Sequence, residues 1–175
     1  MTKFIFSLCL IGMLFSCQEQ EKIAFIDNGK VVNGYFKKKD FEAKFQTKID
    51  NFNKKADSLQ QAIQSEAQLW QSRAANMSQN KAEEEYQALV QKKQRQDFQL
   101  SNEEKGLQRE GQVKLDSIVT EVKEFVKEYG KSNRYTFILG ANEAGSVMYG
   151  AEANDITDEV LEALNGKANA DSEKE

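Results

Sequence analysis

The chain has 175 residues, 24 Lys and Arg against 28 Asp and Glu, a net charge of −4, two cysteines, no proline and no histidine. The missing histidine excludes Ser-His, Cys-His and His-metal chemistry, and no motif organises the carboxylates into a site of their own. A charged fraction of 30% is normal for long exposed helices.

Lys3 precedes an apolar run, Phe4 to Ser16. At 13 residues it is too short to span a bilayer as a helix and right for the core of a signal peptide. It ends in Leu14-Phe15-Ser16-Cys17, which resembles a bacterial lipobox, with Phe15 bulkier than the pattern favours. The expectation is a signal peptide over 1–16 and lipidation at Cys17. An ordinary secretory signal with an incidental Cys is the plainer alternative. Cys9 would leave with the signal and Cys17 would carry the lipid, so no thiol remains for a disulfide, redox or metal site. Gln18 is not the Asp that in some lipoproteins favours retention at the inner membrane, which points to the outer membrane. The acidic start at Glu19 and Glu21 leaves surface export open.

Lys22 to Asp27 reads as a short strand. A helical stripe follows: Phe41, Phe45, Ile49, Phe52, Ala56, Leu59, Ile63, Ala67, Trp70, Ala74 and Met77 recur at the α-helical period. The stripe predicts a helix from about Phe36. Asn76 to Asn80 is polar and is the expected break. A second helix is expected from about Lys81 to a stop at Gly130. Its stripe thins between Gln91 and Gln112 and recovers at Leu115, Ile118, Val122, Phe125 and Tyr129. Together the two helices predict an antiparallel coiled-coil hairpin, an arm over 36–133. Trp70, Met77, Tyr86 and Phe98 lie toward its distal half and are the candidate client-binding residues, since Met and aromatics suit promiscuous surfaces. Core packing is the bland reading of the same four residues.

Tyr135–Gly140 and Ser146–Gly150 read as a second and a third strand, with hairpin chemistry in the linker 141–145. Thr157 is the expected N-cap of a terminal helix, with Asp158 and Glu159 in its first turn. The body would comprise 17–35 and 134–165, and residues 166–175 are expected to be a disordered tail. Three short strands leave exposed edges that invite pairing with other chains. Charge is uneven: the arm carries 18 Lys and Arg against 16 Asp and Glu, and the stretch from Arg134 onward carries 3 against 9. The near balance on the arm reads first as a solubilising face. No glycine spacing matches a phosphate-binding loop.

The ends carry a more specific signal. Lys22-Ile23-Ala24-Phe25-Ile26-Asp27, Tyr135-Thr136-Phe137-Ile138-Leu139 and above all Asn154-Asp155-Ile156-Thr157-Asp158-Glu159-Val160-Leu161 resemble the Skp/OmpH family of periplasmic chaperones. The resemblance spans about Lys22 to Asn165. It implies an α+β, mostly α, fold: a small β body, a barrel shared between three chains, bearing long helical hairpins as tentacles. It further implies a homotrimer that holds unfolded outer-membrane β-barrel proteins in a cavity between its arms without ATP. Such a protein is no enzyme and needs no cofactor, metal or nucleic acid. Well-known members are basic and soluble, whereas this chain is net acidic and carries a lipobox. The alternative is a structural coiled-coil envelope lipoprotein or assembly adaptor without holdase activity.

Overall fold

A computed structural model describes residues 21–142 and 145–172. Cys17 and the signal region fall outside the described residues. The element order is β1 (Ile23–Asp27), α1 (Asn28–Gly34), α2 (Phe36–Ala74), α3 (Gln79–Ser132), β2 (Phe137–Ala141), a 3-10 turn (Glu152–Asn154) and α4 (Thr157–Ser172).

β1 and β2 pair in parallel, Ile23 beside Phe137 through Asp27 beside Ala141. Parallel neighbours need a long crossover, and here the whole helical arm is that crossover. Alternation along β1 buries Ala24 and Ile26 while Ile23 and Asp27 stay exposed. A single bridge from Phe25 to Asp155 continues the sheet on the far side of β1. The sheet is therefore two-stranded and not closed. The third strand expected at Ser146–Gly150 does not form. That segment is irregular, with Gly150 lying against Phe25 of β1, and β2 takes β1 as partner rather than a hairpin neighbour.

α1 has no counterpart in the sequence reading. The Asp27 side chain starts it by accepting from Lys30 N at 2.9 Å. Tyr35 is extended at φ −64, ψ 125 and separates α1 from α2. No side chain of α2 caps its start. Instead Asn165 reaches over from α4, accepting from Phe36 N at 2.8 Å and donating to Gly34 O at 3.3 Å.

α2 and α3 hold 39 and 54 residues, about 58 and 81 Å at 1.5 Å per residue. The turn between them lies within residues 75–78, at the near edge of the expected break. α3 runs past Gly130 to Ser132 and closes with Tyr135 N donating to Gly130 O at 2.9 Å. The left-handed position of this closure falls to Arg134, φ 56. Gly130 serves packing instead: a Cβ there would sit 3.2 Å from Ile138 Cδ1.

The core lies at the base. Ala24, Ile26, Val31, Tyr35, Ile118, Val122, Ile156, Val160, Leu164 and Ala168 form one buried cluster drawn from β1, α1, α3 and α4, together with Tyr35 between α1 and α2 and Ile156 just before α4. α4 also differs from expectation in two ways. It continues through Ser172, so residues 166–172 are helical rather than a disordered tail, and Ala168 is part of the core. The Asp155 carboxylate, not Thr157, accepts from the first helical N–H. The Thr157 hydroxyl accepts from Asp27 N at 2.9 Å and so ties the end of β1 to the start of α4.

Candidate functional site

The arm buries little. Along α2 and the distal part of α3, only Ile63 and Gly111 are fully buried away from the base. Two helices alone cannot enclose a wide apolar seam, so side chains flanking it stay in water.

The four residues singled out on the arm separate in space. Trp70 and Tyr86 come together, with ring centroids 5.1 Å apart and planes tilted by 41°. The Trp70 indole donates to Ala82 O at 3.1 Å, which fixes its ring across the seam. Met77 sits half-buried in the turn. Phe98 lies twelve residues beyond Tyr86 on α3, about 18 Å along the axis, and is 68% exposed. Nothing brings Phe98 to the aromatic pair.

Beside that pair runs an open groove of about 350 Å³ lined by Glu66, Leu69, Trp70, Arg73, Leu89 and Lys92, among others. The Glu66–Lys92 and Arg73–Glu85 ion pairs frame its two ends. Its walls are apolar and its frame is neutral, which suits an uncharged apolar side chain and disfavours an isolated charge. Leu69, 60% exposed, is the residue that the sequence reading passed over. Its signal was an apolar residue off the stripe, next to Trp70. Val113, 62% exposed on α3, carries the same signal.

A second apolar surface lies on the base. The sheet face turned away from the core carries Ile23, Phe137 and Leu139, each partly exposed. Next to it in the chain, Met148 and Tyr149 are 89% and 87% exposed. β2 has no strand partner on its other edge among the described residues. No group of three or more His, Cys, Asp or Glu among the described residues is placed to hold a metal. No described helix is long and apolar enough to cross a membrane.

The short parallel sheet, the long hairpin between its strands and the helix returning to the base match one family model along residues 22–164. Its description is outer membrane protein (OmpH-like). The chain belongs to the OmpH-like family. This OmpH-like chain also shares its fold with the crystal structure of a protein described as an OmpH-like outer membrane chaperone, from Caulobacter crescentus. The TM-score is 0.75 over 84% of this chain and 85% of that one, at 19% identity. No curated protein matches the chain. The family match and the shared fold agree on an OmpH-like architecture.

Proposed function

We propose that this chain is an ATP-independent holdase that shelters unfolded outer-membrane β-barrel proteins between the arms of a homotrimer. The observation that carries the reading is the set of exposed large apolar side chains along a thin arm: Leu69, Tyr86, Phe98 and Val113. An unfolded barrel strand exposes alternating apolar residues and unpaired backbone and aggregates readily. Many weak apolar contacts spaced along an arm shield such a chain without reading its sequence. Trp70, Tyr86 and Phe98 are the client contacts in this reading, with Leu69 beside them and Met77 at the turn.

The base supplies the argument for several copies. An apolar sheet face and a free strand edge are costly in water and favour pairing with further chains. A small barrel shared by three copies would cover Ile23, Phe137 and Leu139 and give the segment around Met148 a partner strand. A lipid on Cys17, six residues before Ile23, would hold that base close to a membrane, with the outer membrane as the favoured site.

The test uses the soluble form beginning at Gln18, its mass measured by light scattering alone and after a urea-unfolded outer-membrane barrel protein is diluted into it. A trimer that takes up one client and keeps it soluble is the expected result. A trimer indifferent to the client would leave the fold intact and make the chain a structural envelope adaptor. A monomer indifferent to it would sink the shared-barrel reading. Separately, Cys17→Ala should release the protein from membranes; full retention would rule out the anchor.

A further inference from the structure

The two arm helices are joined by five ion pairs that share one register. From base to tip they are Lys37–Glu121, Lys48–Glu110, Lys55–Glu103, Glu66–Lys92 and Arg73–Glu85. The two residue numbers of each pair have the same sum throughout. Successive rungs are alternately 11 and 7 residues apart on both helices. Seven-residue steps drift one way around an α-helix and eleven-residue steps drift the other, so their alternation averages 3.6 residues per turn. The rungs therefore run straight down one flank of the hairpin.

The seam beside this ladder is apolar but only half-buried, with Phe45, Ile49 and Phe52 facing Leu107 across it. Of the arm's seam residues outside the base, only Ile63 is a buried large hydrophobe. Where the stripe of α3 thins, Gln96 turns a buried Oε1 into the seam with no hydrogen-bond partner. Such a seam holds the two helices together, but apolar side chains repeated at helical spacing do little to choose one alignment over a slip.

The order of charges on the ladder also selects the alignment. Four rungs place the cation on α2, and Glu66–Lys92 is reversed. A uniform ladder would still pair two of its five cations after a slip of one heptad. With the reversal, a slip in one direction would set Glu66 opposite Glu85 and Lys37 opposite Lys114. The opposite slip would set Arg73 opposite Lys92. Like-charge juxtaposition of this kind penalises the wrong register, as e and g positions do in coiled coils.

We propose that this ion-pair ladder, rather than the apolar seam beside it, fixes the register of the arm helices, so that ionic strength loosens their alignment while the base stays indifferent. All five rungs are solvent-exposed to a substantial degree. Exposed pairs are individually weak and are screened as the Debye length falls from about 10 Å at 0.1 M salt to about 3 Å at 1 M. A hydrophobic seam responds in the opposite sense or not at all. The arm positions the Trp70–Tyr86 groove and Phe98, and a one-heptad slip would displace one helix against the other by about 10 Å. The ladder thus governs how the arm presents its apolar residues, whatever those residues bind.

Amide hydrogen exchange of the full chain in detergent, followed by mass spectrometry in low and about 1 M sodium chloride, tests this. Between Lys81 and Gln112 exchange should accelerate about three- to tenfold in high salt, relative to α4 and β1 in the same sample. Lys55→Glu should reproduce the acceleration at low salt by facing Glu103 with a like charge. The exchanged pair Lys55→Glu with Glu103→Lys should restore slow exchange. Lys55→Gln, which removes a charge without adding repulsion, should fall between and serves if the reversal does not fold. Arm exchange that ignores salt or slows in it, or a swapped pair as fast as the single reversal, would overturn the proposal.

Discussion

Tyr35→Phe isolates one buried contact whose strength should depend on pH. Tyr35 is 1% exposed, and its hydroxyl donates to Glu121 Oε1 at 2.7 Å. Lys37 Nζ meets the same oxygen at 2.6 Å. Partial burial pushes the Glu121 carboxyl up, but hydrogen bonds from Lys37 and Tyr35 and the charges of Lys37 and Lys114 outweigh it. The net position is below the ordinary 4.5. A hydrogen bond to a charged group contributes about 1.5–3 kcal/mol. Glu121 is 42% exposed and keeps Lys37, so solvent screening brings the expected loss down to about 1 kcal/mol. Phe fills the same space and leaves no buried donor behind. Near neutral pH the melting temperature should fall by about 2–4 °C for a domain of this size. The sign of the pH dependence follows from the lowered pKa. The carboxylate's contribution is fully present above its unfolded value and is lost as pH falls through its folded value. The gap between wild type and variant should therefore narrow in acid, below the ordinary carboxylate range. Thermal unfolding followed by circular dichroism at both pH values measures it. An equal deficit at all pH values would show that the Tyr35 hydroxyl acts through something other than the Glu121 carboxylate.

Three further substitutions test separate parts of the fold. Gln96→Leu replaces the unpartnered buried amide oxygen with apolar volume and should stabilise the arm by about 1 kcal/mol or more, read as slower amide exchange on α3. Arg134→Gly relieves the left-handed φ of 56 and should add about 1 kcal/mol, read as a higher urea midpoint at unchanged slope. Gly34→Ala would place a Cβ 2.5 Å from Leu161 Cδ2 where α1 meets α4, at a cost of about 1–3 kcal/mol by thermal melting. A neutral result there would mean that Leu161 swings aside freely.

The arm was legible in the sequence because its signal is local. A stripe recurring from Phe41 to Met77 names a helix without knowledge of anything distant, and the thinning after Gln91 marked the part of α3 that the fold leaves poorly packed. What escaped depends on residues far apart in the chain. α1 rests on a cap by Asp27 and on packing of Val31 against the base core, neither of which a seven-residue window displays. The start of α2 is capped by Asn165, 129 residues away. Thr157 had the chemistry of an N-cap, but its hydroxyl was taken by Asp27 and the cap passed to Asp155. On the arm, chemistry alone grouped Trp70, Tyr86 and Phe98. The helical angle between positions 86 and 98 separates them, and Trp70's hydrogen bond to Ala82 across the seam decides which aromatic it joins.

The segment Ser146–Gly150 marks where reasoning from one chain reaches its limit. Its composition asks for a strand, and strands form only against a partner. The hairpin with β2 was the nearest pairing in sequence, yet β2 is taken on one side by β1, to which it is delivered by the arm. Val147 is half-buried while Met148 and Tyr149 stand in water beside it, an arrangement that costs apolar exposure and returns no packing. The same exposure recurs at Ile23, Phe137 and Leu139 on the sheet. In the proposed trimer these two uncovered surfaces, each with β-forming composition, would be where chains meet, and the strand missing from one copy would form against another. That step belongs to the proposed trimer, and the mass of the soluble form decides it.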